Sequence, residues 1–584
     1  MFAILAVTLG LFIWGRWRYD VVALLALLAV IICGIVPATA AFEGFGHPAV
    51  ITVAAVLIIS RSLQSSGIIG WITRWLDKLQ AGPSIQIAAI AGLVAVLSGF
   101  MNNVGALALL LPVVVQTAER TGRAPGELMM PLAFGSLLGG LTTMVGTPPN
   151  IIIASFRAKS AGVPFGMFDF TPVGLVIAIA GITFMAAYGW RLIPIRTPAT
   201  STSKLFNIED YISEVLVPRK SGLSGTSIQD LLTDAGEEEV AVLALMRRGK
   251  KIIRPKLNYT VRINDRLLLE GSAEATENIL MSTPLKLMGK RNLDTTEFQS
   301  DDSGVIEAVV TPGSKLIRRS IAQAQLERRY GLNLLALARQ GRQVRKELRK
   351  VLVRPGDVLL LQGQMDTIMD SLAAIGCLPL AGRNIALHRE PTLVPLVIFS
   401  VAIALGVSGL LSLPIAFTGA VVALVLSGQI RARELYQEVD WPVIVLLGAM
   451  VPVGMAMEQS GANSLLADGI AALAAILPAW SIVMLMLMAA MFLSDIMNNA
   501  ATAILMSQLS IQVAERLDIS ADPLLMAVAI GASCAFLTPI GHQSNILVMG
   551  PGGYRFGDYW RLGLPLEALI VLLAVPLILL VWPL

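Results

Sequence analysis

Long uncharged runs of mainly apolar residues divide this 584-residue chain into segments that match membrane helices. A helix of about 20 apolar residues covers the hydrocarbon of a bilayer. Such runs occupy residues 21–42, 44–60, 128–156, 170–190, 441–457, 523–554 and 568–584. Another run, 391–430, contains Gly409 and Pro414 near its centre and predicts two helices joined by a tight turn. The pattern therefore predicts a polytopic α-helical membrane protein.

One further uncharged run, residues 79–118, is interrupted at its centre by polar residues. Ser98, Asn102 and Asn103 stand there, beside glycines that weaken a helix. Irregular backbone at membrane depth is tolerated only where protein or a water-filled cavity surrounds it. We therefore interpret the segment as a re-entrant hairpin, at about residues 84–118, whose tip lies inside the membrane.

Three features recur at both ends of the chain with nearly equal spacing. A proline that opens an apolar helix, Pro48 or Pro442, precedes a glycine by 19 residues. A serine stands five residues before the second asparagine in both SGFMNN and SDIMNN. The segments TMVGTPPN and TPIGHQSN follow, with the glycine 43 or 42 residues after that asparagine. We interpret residues 1–195 and 391–584 as two copies of one membrane unit, the second with a hairpin at about 481–513.

The distribution of charge orients the two units and separates a soluble module from them. Residues 197–390 hold 51 of the 84 charged residues. Lysine and arginine gather on the cytoplasmic side of membrane proteins, which places the module inside and gives the units opposite orientations, with Arg157 and Lys159 as the clear exception. Five spans and one hairpin per unit then form an inverted repeat. We expect a multi-pass protein of the cell (inner) membrane with residues 197–390 in the cytoplasm.

Composition excludes several other classes of protein. Only 14% of the residues are charged and 55% are hydrophobic, which differs from a cytosolic enzyme. A net charge of +4, widely dispersed, gives no basis for nucleic-acid binding. The three cysteines have no CxxC spacing, and the sequence contains no nucleophile elbow or phosphate loop. We therefore expect neither an enzyme nor a bound cofactor.

The repeated motifs point to transport chemistry. Inverted repeats with broken helices are typical of secondary transporters, which bind substrate and coupling ions near the membrane midplane. In each unit a hairpin tip with serine and two asparagines is expected to face a later helix interrupted by Gly, Pro or Thr. Side-chain and freed backbone carbonyls supply oxygen ligands for Na+, and helix N-termini favour an anion. The alternative is that these polar residues only connect helices by hydrogen bonds.

The hairpins and the TPPN and HQSN interruptions resemble the divalent anion:sodium symporter family of the wider ion transporter superfamily, over both membrane units. The resemblance implies two Na+ sites with no other cofactor. It assigns these sites to Ser98, Asn102, Asn103 and Gly146, and to Ser494, Asn498, Asn499 and Gly541. It places the anion against Asn103, Thr147, Pro148, Asn150, Asn499, Thr502, His542, Gln543, Ser544 and Asn545.

The tips depart from the Ser-Asn-Thr signature of that family. Asparagine replaces the serine, and Val104 and Ala500 replace the threonine that helps to hold a substrate carboxylate. This departure favours a compact oxyanion such as sulfate over larger carboxylates.

Two titratable residues belong to the second unit's predicted site. Asp495 is the carboxylate expected within a hairpin and is a candidate coupling residue, either as a cation ligand or as a proton carrier. A hydrated position near the external mouth is the alternative for Asp495. His542, in the second interruption, can hydrogen-bond an anion or titrate, or it can orient freed backbone.

The central module is itself duplicated. The segment DRLLLEG at 265–271 parallels DVLLLQG at 357–363, an offset of 92 residues. Each copy alternates short β-type runs with helices, an α+β pattern, over residues 207–290 and 295–383. The copies resemble TrkA-C (RCK C-terminal) domains, which implies a small nucleotide-type ligand or contacts within a homodimer.

The leading hypothesis is a Na+-coupled importer of a small divalent oxyanion such as sulfate, or of a dicarboxylate, modulated by the TrkA-C-like domains. Its partners would be the anion, Na+, the lipid bilayer and a second copy of the chain. A cation/proton antiporter of the same superfamily, with Asp495 and His542 as titrating groups, is the first alternative. A membrane sensor with a transporter-like core is the second.

Overall fold

A computed structural model of the chain describes most of both membrane units and much of the module between them. The described residues are 1–14, 17–66, 82–194, 212–219, 221–234, 241–247, 250–253, 255, 258–270, 279–289, 303–340, 342–344, 351–381, 392–430, 435, 439–462, 465, 467–470, 478 and 480–584. The predicted unit ends at residues 195, 207, 290, 295, 383 and 391 lie outside this set, so the domain boundaries stay predictions.

The first membrane unit is a succession of apolar helices. They are α1 Phe2–Trp14, α2 Tyr19–Ile32, α3 Pro48–Ser65, α4 Pro83–Ser98, α5 Asn103–Thr121, α6 Pro125–Gly140, α7 Pro148–Ala161 and α8 Thr171–Ala187. Proline stands in the first turn of α3, α4, α6, α7 and α8. The missing N–H of proline costs no hydrogen bond there, so these prolines fix where the helices begin.

The module contains two sheets with one strand path. The first comprises β1 Ile212–Leu216, β2 Ala241–Arg247, β3 Lys250–Ile253, β4 Arg266–Glu270 and β5 Lys286–Gly289, with helix α9 Ile228–Asp234. The second comprises β6 Ser303–Val310, β7 Asn333–Arg339, β8 Arg342–Gln343, β9 Val358–Gln364 and β10 Cys377–Ala381, with α10 Ile321–Ala324, α11 Leu326–Tyr330 and α12 Met365–Ile375. The strand orders, β3-β2-β4-β1-β5 and β10-β6-β9-β7-β8, are equivalent when the second is read from its other edge. Assignment of the sheets to TrkA-C domains stays a prediction.

The same buried ion pair occurs in both sheets. Arg247 Nη2 lies 2.6 Å from Asp265 Oδ2, and Arg339 Nη2 lies 2.7 Å from Asp357 Oδ2. Each aspartate also accepts the main-chain N–H three residues before it. The hydrogen bond to the aspartate raises the pKa of each arginine above its usual value. Both pairs therefore stay ionised. One connects the end of β2 to the loop before β4, and the other connects the end of β7 to the loop before β9.

The last membrane unit repeats the helix order of the first. Its helices are α13 Val394–Val407, α14 Leu413–Leu426, α15 Trp441–Gln459, α16 Trp480–Ile496, α17 Asn499–Leu517, α18 Asp522–Ser533, α19 Gln543–Met549 and α20 Tyr559–Val581. Contacts between units are reciprocal, because α2 packs on α15 while α14 packs on α3, and α7 packs on α18 while α19 packs on α6. The hairpin helices α4 and α16 pack on α6 and α18. The two units thus share one core in which the breaks after α6 and α18 approach both hairpins.

Apolar side chains cover the outside of this bundle as well as its inside. Among the described residues, Ala38–Gln64 and Phe556–Val581 are long and apolar enough to cross a membrane, and shorter apolar helices surround them. Large side chains such as Leu28, Ile179 and Leu572 remain exposed on α2, α8 and α20. An exposed apolar surface of this extent matches a lipid environment.

Arg157, the exception to the predicted charge distribution, has a partner. Its Nη2 lies 2.7 Å from Asp522 Oδ2, and its Nε donates to Asp522 Oδ1 at 2.8 Å. The guanidinium also lies 4.5 Å from the ring centroid of Phe165. The bidentate pair joins α7 of one unit to the start of α18 in the other, so this arginine serves a contact between units.

The second sheet rests directly on the membrane helices. Along β9, Val358 and Leu360 belong to the membrane core, whereas Leu359 and Leu361 belong to the sheet's own core. Strand β10 packs on α5. Gly356 has φ +79°, and a Cβ there would lie 3.0 Å from the carbonyl oxygen of Ile546 in α19. The second sheet is therefore sandwiched between its own helices and the membrane unit.

Candidate functional site

The first hairpin tip gathers oxygen atoms from three segments. Helix α4 ends at Ser98 and α5 begins at Asn103. Ser98 Oγ lies 2.5 Å from the Asn103 amide. With its nitrogen turned toward Ser98, the amide donates to the carbonyl oxygens of Ser136 at 3.2 Å and Gly146 at 3.1 Å. Three oxygens, from the hairpin, α6 and the break, thus converge on one buried position.

The second tip has the same serine–asparagine contact. Ser494 Oγ lies 2.8 Å from Asn499 Oδ1 and 2.6 Å from the carbonyl oxygen of Ala532. Ser494 is completely buried and Asn499 nearly so. The structure therefore brings together Ser and the second Asn at each tip, five residues apart in sequence.

A threonine ties each break to its hairpin. Thr538 Oγ1 donates to the carbonyl oxygen of Asp495 at 2.8 Å, and Thr143 Oγ1 donates to the carbonyl oxygen of Gly99. A Cβ on Gly146 would lie 2.7 Å from the carbonyl oxygen of Gly140, so only glycine fits there. The break and the tip consequently form one compact assembly in each unit.

Asn150 and Asn545 make equivalent hydrogen bonds to carbonyl groups of the two breaks. Asn150 Nδ2 donates to the carbonyl oxygens of Thr143 at 2.8 Å and Gly140 at 3.2 Å. Asn545 Nδ2 donates to two carbonyl oxygens of its own break, at 2.9 and 3.1 Å. These are carbonyls that the interrupted helix leaves without an intrahelical donor. Each asparagine therefore presents only Oδ1, which has no partner among the described residues and suits a cation or water.

The first asparagine of each tip caps a helix. Asn102 Oδ1 accepts the Val104 N–H at 3.2 Å, and Asn498 Oδ1 accepts the Ala500 N–H at 2.9 Å. This local bond starts the second hairpin helix at the tip. Several other predicted residues lie at the starts of α7, α17 and α19, namely Thr147, Pro148, Thr502 and Gln543.

His542 and Ser544 connect the two units. His542 Nδ1 accepts the Ser544 N–H at 3.0 Å, so the neutral ring carries its proton on Nε2. With the Asn103 amide nitrogen turned toward Ser98, His542 Nε2 lies 3.5 Å from the Asn103 amide oxygen. Ser136 Oγ lies 3.4 Å from Ser544 Oγ. The first hairpin tip and the second break thus meet at the centre of the molecule.

Asp495 has a carboxyl neighbour that the sequence interpretation missed. Its side chain lies against that of Glu567 of α20, and both residues are buried. Glu567 stands just before the uncharged run 568–584 and therefore looked like the end of a span, whereas the structure places it inside α20. Ser136 was missed as well, because it contributes a main-chain oxygen that carries no sequence signal.

Paired helix breaks facing paired hairpin tips, inside an apolar bundle, define a membrane transporter. The model of the citrate transporter family, CitMHS, matches residues 9–515 and 479–584. The chain belongs to this family, whose members are multi-pass membrane proteins of the ion transporter superfamily. This membership confirms the predicted superfamily and the prediction of a transporter rather than an enzyme.

The relatives match either almost the whole chain or a little over half of it. The uncharacterized transporter sll0640 of Synechocystis sp. is 29% identical over 595 residues, covering 99% of this chain and 96% of its own. The putative sulfur deprivation response regulator of Chlamydomonas reinhardtii is 26% identical, covering 96% and 97%. The sodium/sulfate cotransporter 2 of the same alga is 24% identical over 362 residues, covering 58% of this chain and 40% of its own.

Proposed function

We propose that the protein is a Na+-coupled symporter of a small divalent oxyanion, with sulfate as the first candidate and a dicarboxylate as the second. The convergence of Ser98 Oγ and the Ser136 and Gly146 carbonyl oxygens on one point carries this proposal. Without an ion, the two N–H groups of the Asn103 amide are shared among these three oxygens; a bound Na+ takes that position and the amide turns its oxygen inward. Hard oxygen ligands of this kind suit a small cation.

The anion side of the proposal uses the donors at the same interface. The tips and breaks carry no lysine or arginine, so the anion is held by main-chain N–H groups at helix starts and by neutral side chains. His542 Nε2–H and the residues at the starts of α5, α7 and α17 supply these donors. The names of the sodium/sulfate cotransporter relatives support sulfate as the anion.

Several finer features of the architecture belong to this proposal. The reciprocal contacts of the units support an inverted repeat, and the position of the second sheet against α5 and α19 supports a cytoplasmic module at one end of both units. We place the chain in the inner membrane as a homodimer. The TrkA-C-like domains then bind a small nucleotide-type ligand or mediate dimer contacts.

Each alternative keeps one observation in its favour. The buried Asp495–Glu567 contact favours a cation/proton antiporter, because a carboxyl pair can carry a proton. The name of the algal sulfur deprivation response regulator, related over almost the whole chain, favours a sensor.

Uptake into proteoliposomes distinguishes these functions. Labelled sulfate and labelled succinate are compared with and without an inward Na+ gradient. Symport predicts Na+-dependent sulfate uptake, and Asn103→Ala and Asn499→Ala should each raise the Na+ concentration for half-maximal uptake while the purified protein stays monodisperse. Val104→Ala, beside the site but without a polar side chain, is the control. Na+-driven proton movement without any anion would contradict symport.

A further inference from the structure

The two units differ at one place inside their otherwise equivalent sites. In the second unit, Asp495 follows the tip serine directly, and its carboxyl group contacts that of Glu567. Asp495 is 4% exposed and Glu567 is 8% exposed. Two buried acidic side chains in contact are rare in a membrane protein unless they bind something.

The equivalent positions of the first unit carry no charge. Asp495 corresponds to Gly99, since each follows the tip serine and each receives the hydrogen bond of the break threonine on its carbonyl oxygen. Gly563 of α20 and Gly174 of α8 each contact the residue that lies two positions before the threonine of the break. The two helices are therefore equivalent, and Glu567 corresponds to Ala178. The acidic pair is therefore an asymmetry between two otherwise matched sites.

The hydrogen bonds of the pair leave one oxygen free. Asp495 Oδ1 accepts the Leu537 N–H at 3.1 Å, and Glu567 Oε1 accepts the Phe536 N–H at 3.3 Å. Asp495 Oδ2 is buried and has no donor among the described residues. Arg561, which is exposed, and Arg516, near the far end of α17, are the basic residues of α16, α17, α18 and α20. With one of the two carboxyls ionised, the pair carries a negative charge that no buried basic side chain of these four helices balances.

Further unpartnered oxygens belong to the helices and the break of the second unit's site. Thr502 Oγ1, Ser533 Oγ and Asn545 Oδ1 are buried without a partner among the described residues. Thr502 lies three residues after Asn499, and Ser533 follows the residue whose carbonyl binds Ser494. A buried negative charge in a unit that also holds buried, unpartnered oxygens favours the binding of a cation.

We propose that the Asp495–Glu567 pair makes the second unit's cation site the tighter of the two. This inference rests on the proposed Na+ coupling and adds that the two sites are unequal. One charge about 6–8 Å from a cation, at an effective dielectric constant of about 20, changes binding by roughly thirty- to a hundredfold. The neutral first site, built from Ser98, Asn103 and Gly146, then fills only at higher Na+ concentration.

Na+ binding to the purified protein tests the inference independently of transport. The shift of the unfolding temperature in detergent is titrated with NaCl, with choline chloride holding the ionic strength constant. Glu567→Gln and Asp495→Asn keep the shape and the N–H contacts of the pair but remove its charge. Each should raise the Na+ concentration at half-maximal shift at least tenfold. Asp558→Asn, a buried carboxyl elsewhere on the N-terminal side of α20, should leave it unchanged.

The outcomes separate this inference from the proposed function. If the wild-type protein shows no response to Na+, both are wrong. If the wild type responds and both neutral variants respond within twofold of it, the inference alone is wrong. Glu567→Ala, which installs the residue of the first unit, replaces the glutamine variant if that protein is not monodisperse.

Discussion

The clearest structural prediction concerns Asn545, which holds the second helix break. Its Nδ2 donates to the carbonyl oxygens of Ala535 and Thr538 at 2.9 and 3.1 Å, and the residue is completely buried. Asn545→Ala leaves both carbonyls without a donor. Each buried, unsatisfied polar group costs about 1–3 kcal/mol, so the variant should lose roughly 2–6 kcal/mol of stability.

A capping residue supplies the comparison. Asn498→Ala removes one hydrogen bond from a helix start, a loss of about 1 kcal/mol. Asn545→Asp keeps the side-chain volume but loses both donors, so it should resemble Asn545→Ala rather than the wild type. The measurement is the fraction of monodisperse protein after heating in detergent, read by size-exclusion chromatography.

Two outcomes would contradict this role of Asn545. If Asn545→Ala melts at the same temperature as Asn498→Ala, the two carbonyls find other donors and the asparagine does not hold the break. If Asn545→Asp is as stable as the wild type, the lost volume rather than the lost donors explains the alanine variant. Asn150→Ala should behave like Asn545→Ala, because it makes the same two bonds in the first unit.

Two further predictions address the module. Burial raises the pKa of the Cys377 thiol to about 12, so its thiolate is scarce at pH 8. A maleimide should therefore label exposed Cys33 in the folded protein, whereas Cys377 should react only after unfolding. Peptide mass spectrometry measures the labelling of each cysteine. The thiolate fraction increases with pH. Comparable labelling of Cys33 and Cys377 in the folded protein at pH 8 would contradict the burial of Cys377. Deleting residues 207–290 should lower the melting temperature less than deleting 207–383, since only the second sheet shares a core with the membrane helices in the described residues. Equal melting temperatures would show that this contact adds no stability.

Local pattern alone determined much of this architecture. Uncharged run length reflects the thickness of the hydrocarbon, and Ser98, Asn103 and Gly146 recur as Ser494, Asn499 and Gly541 because the same break must form twice. These signals are local, since each depends on a few neighbouring residues and on the energetic cost of polar backbone in lipid. They predicted the transporter class and the residues that meet at each hairpin tip.

Other features depend on contacts that no local pattern encodes. Glu567 lies 72 residues after Asp495 in sequence, and a lone glutamate beside an apolar run is indistinguishable from the end of a span. Ser136 contributes through its main-chain oxygen, which every residue possesses. Whether an asparagine caps a helix, as Asn102 does, or holds a break, as Asn150 does, depends on which carbonyls and N–H groups the packing brings within 3 Å or so. Tertiary packing alone brought Glu567 against Asp495, because charge acts through space and not along the chain.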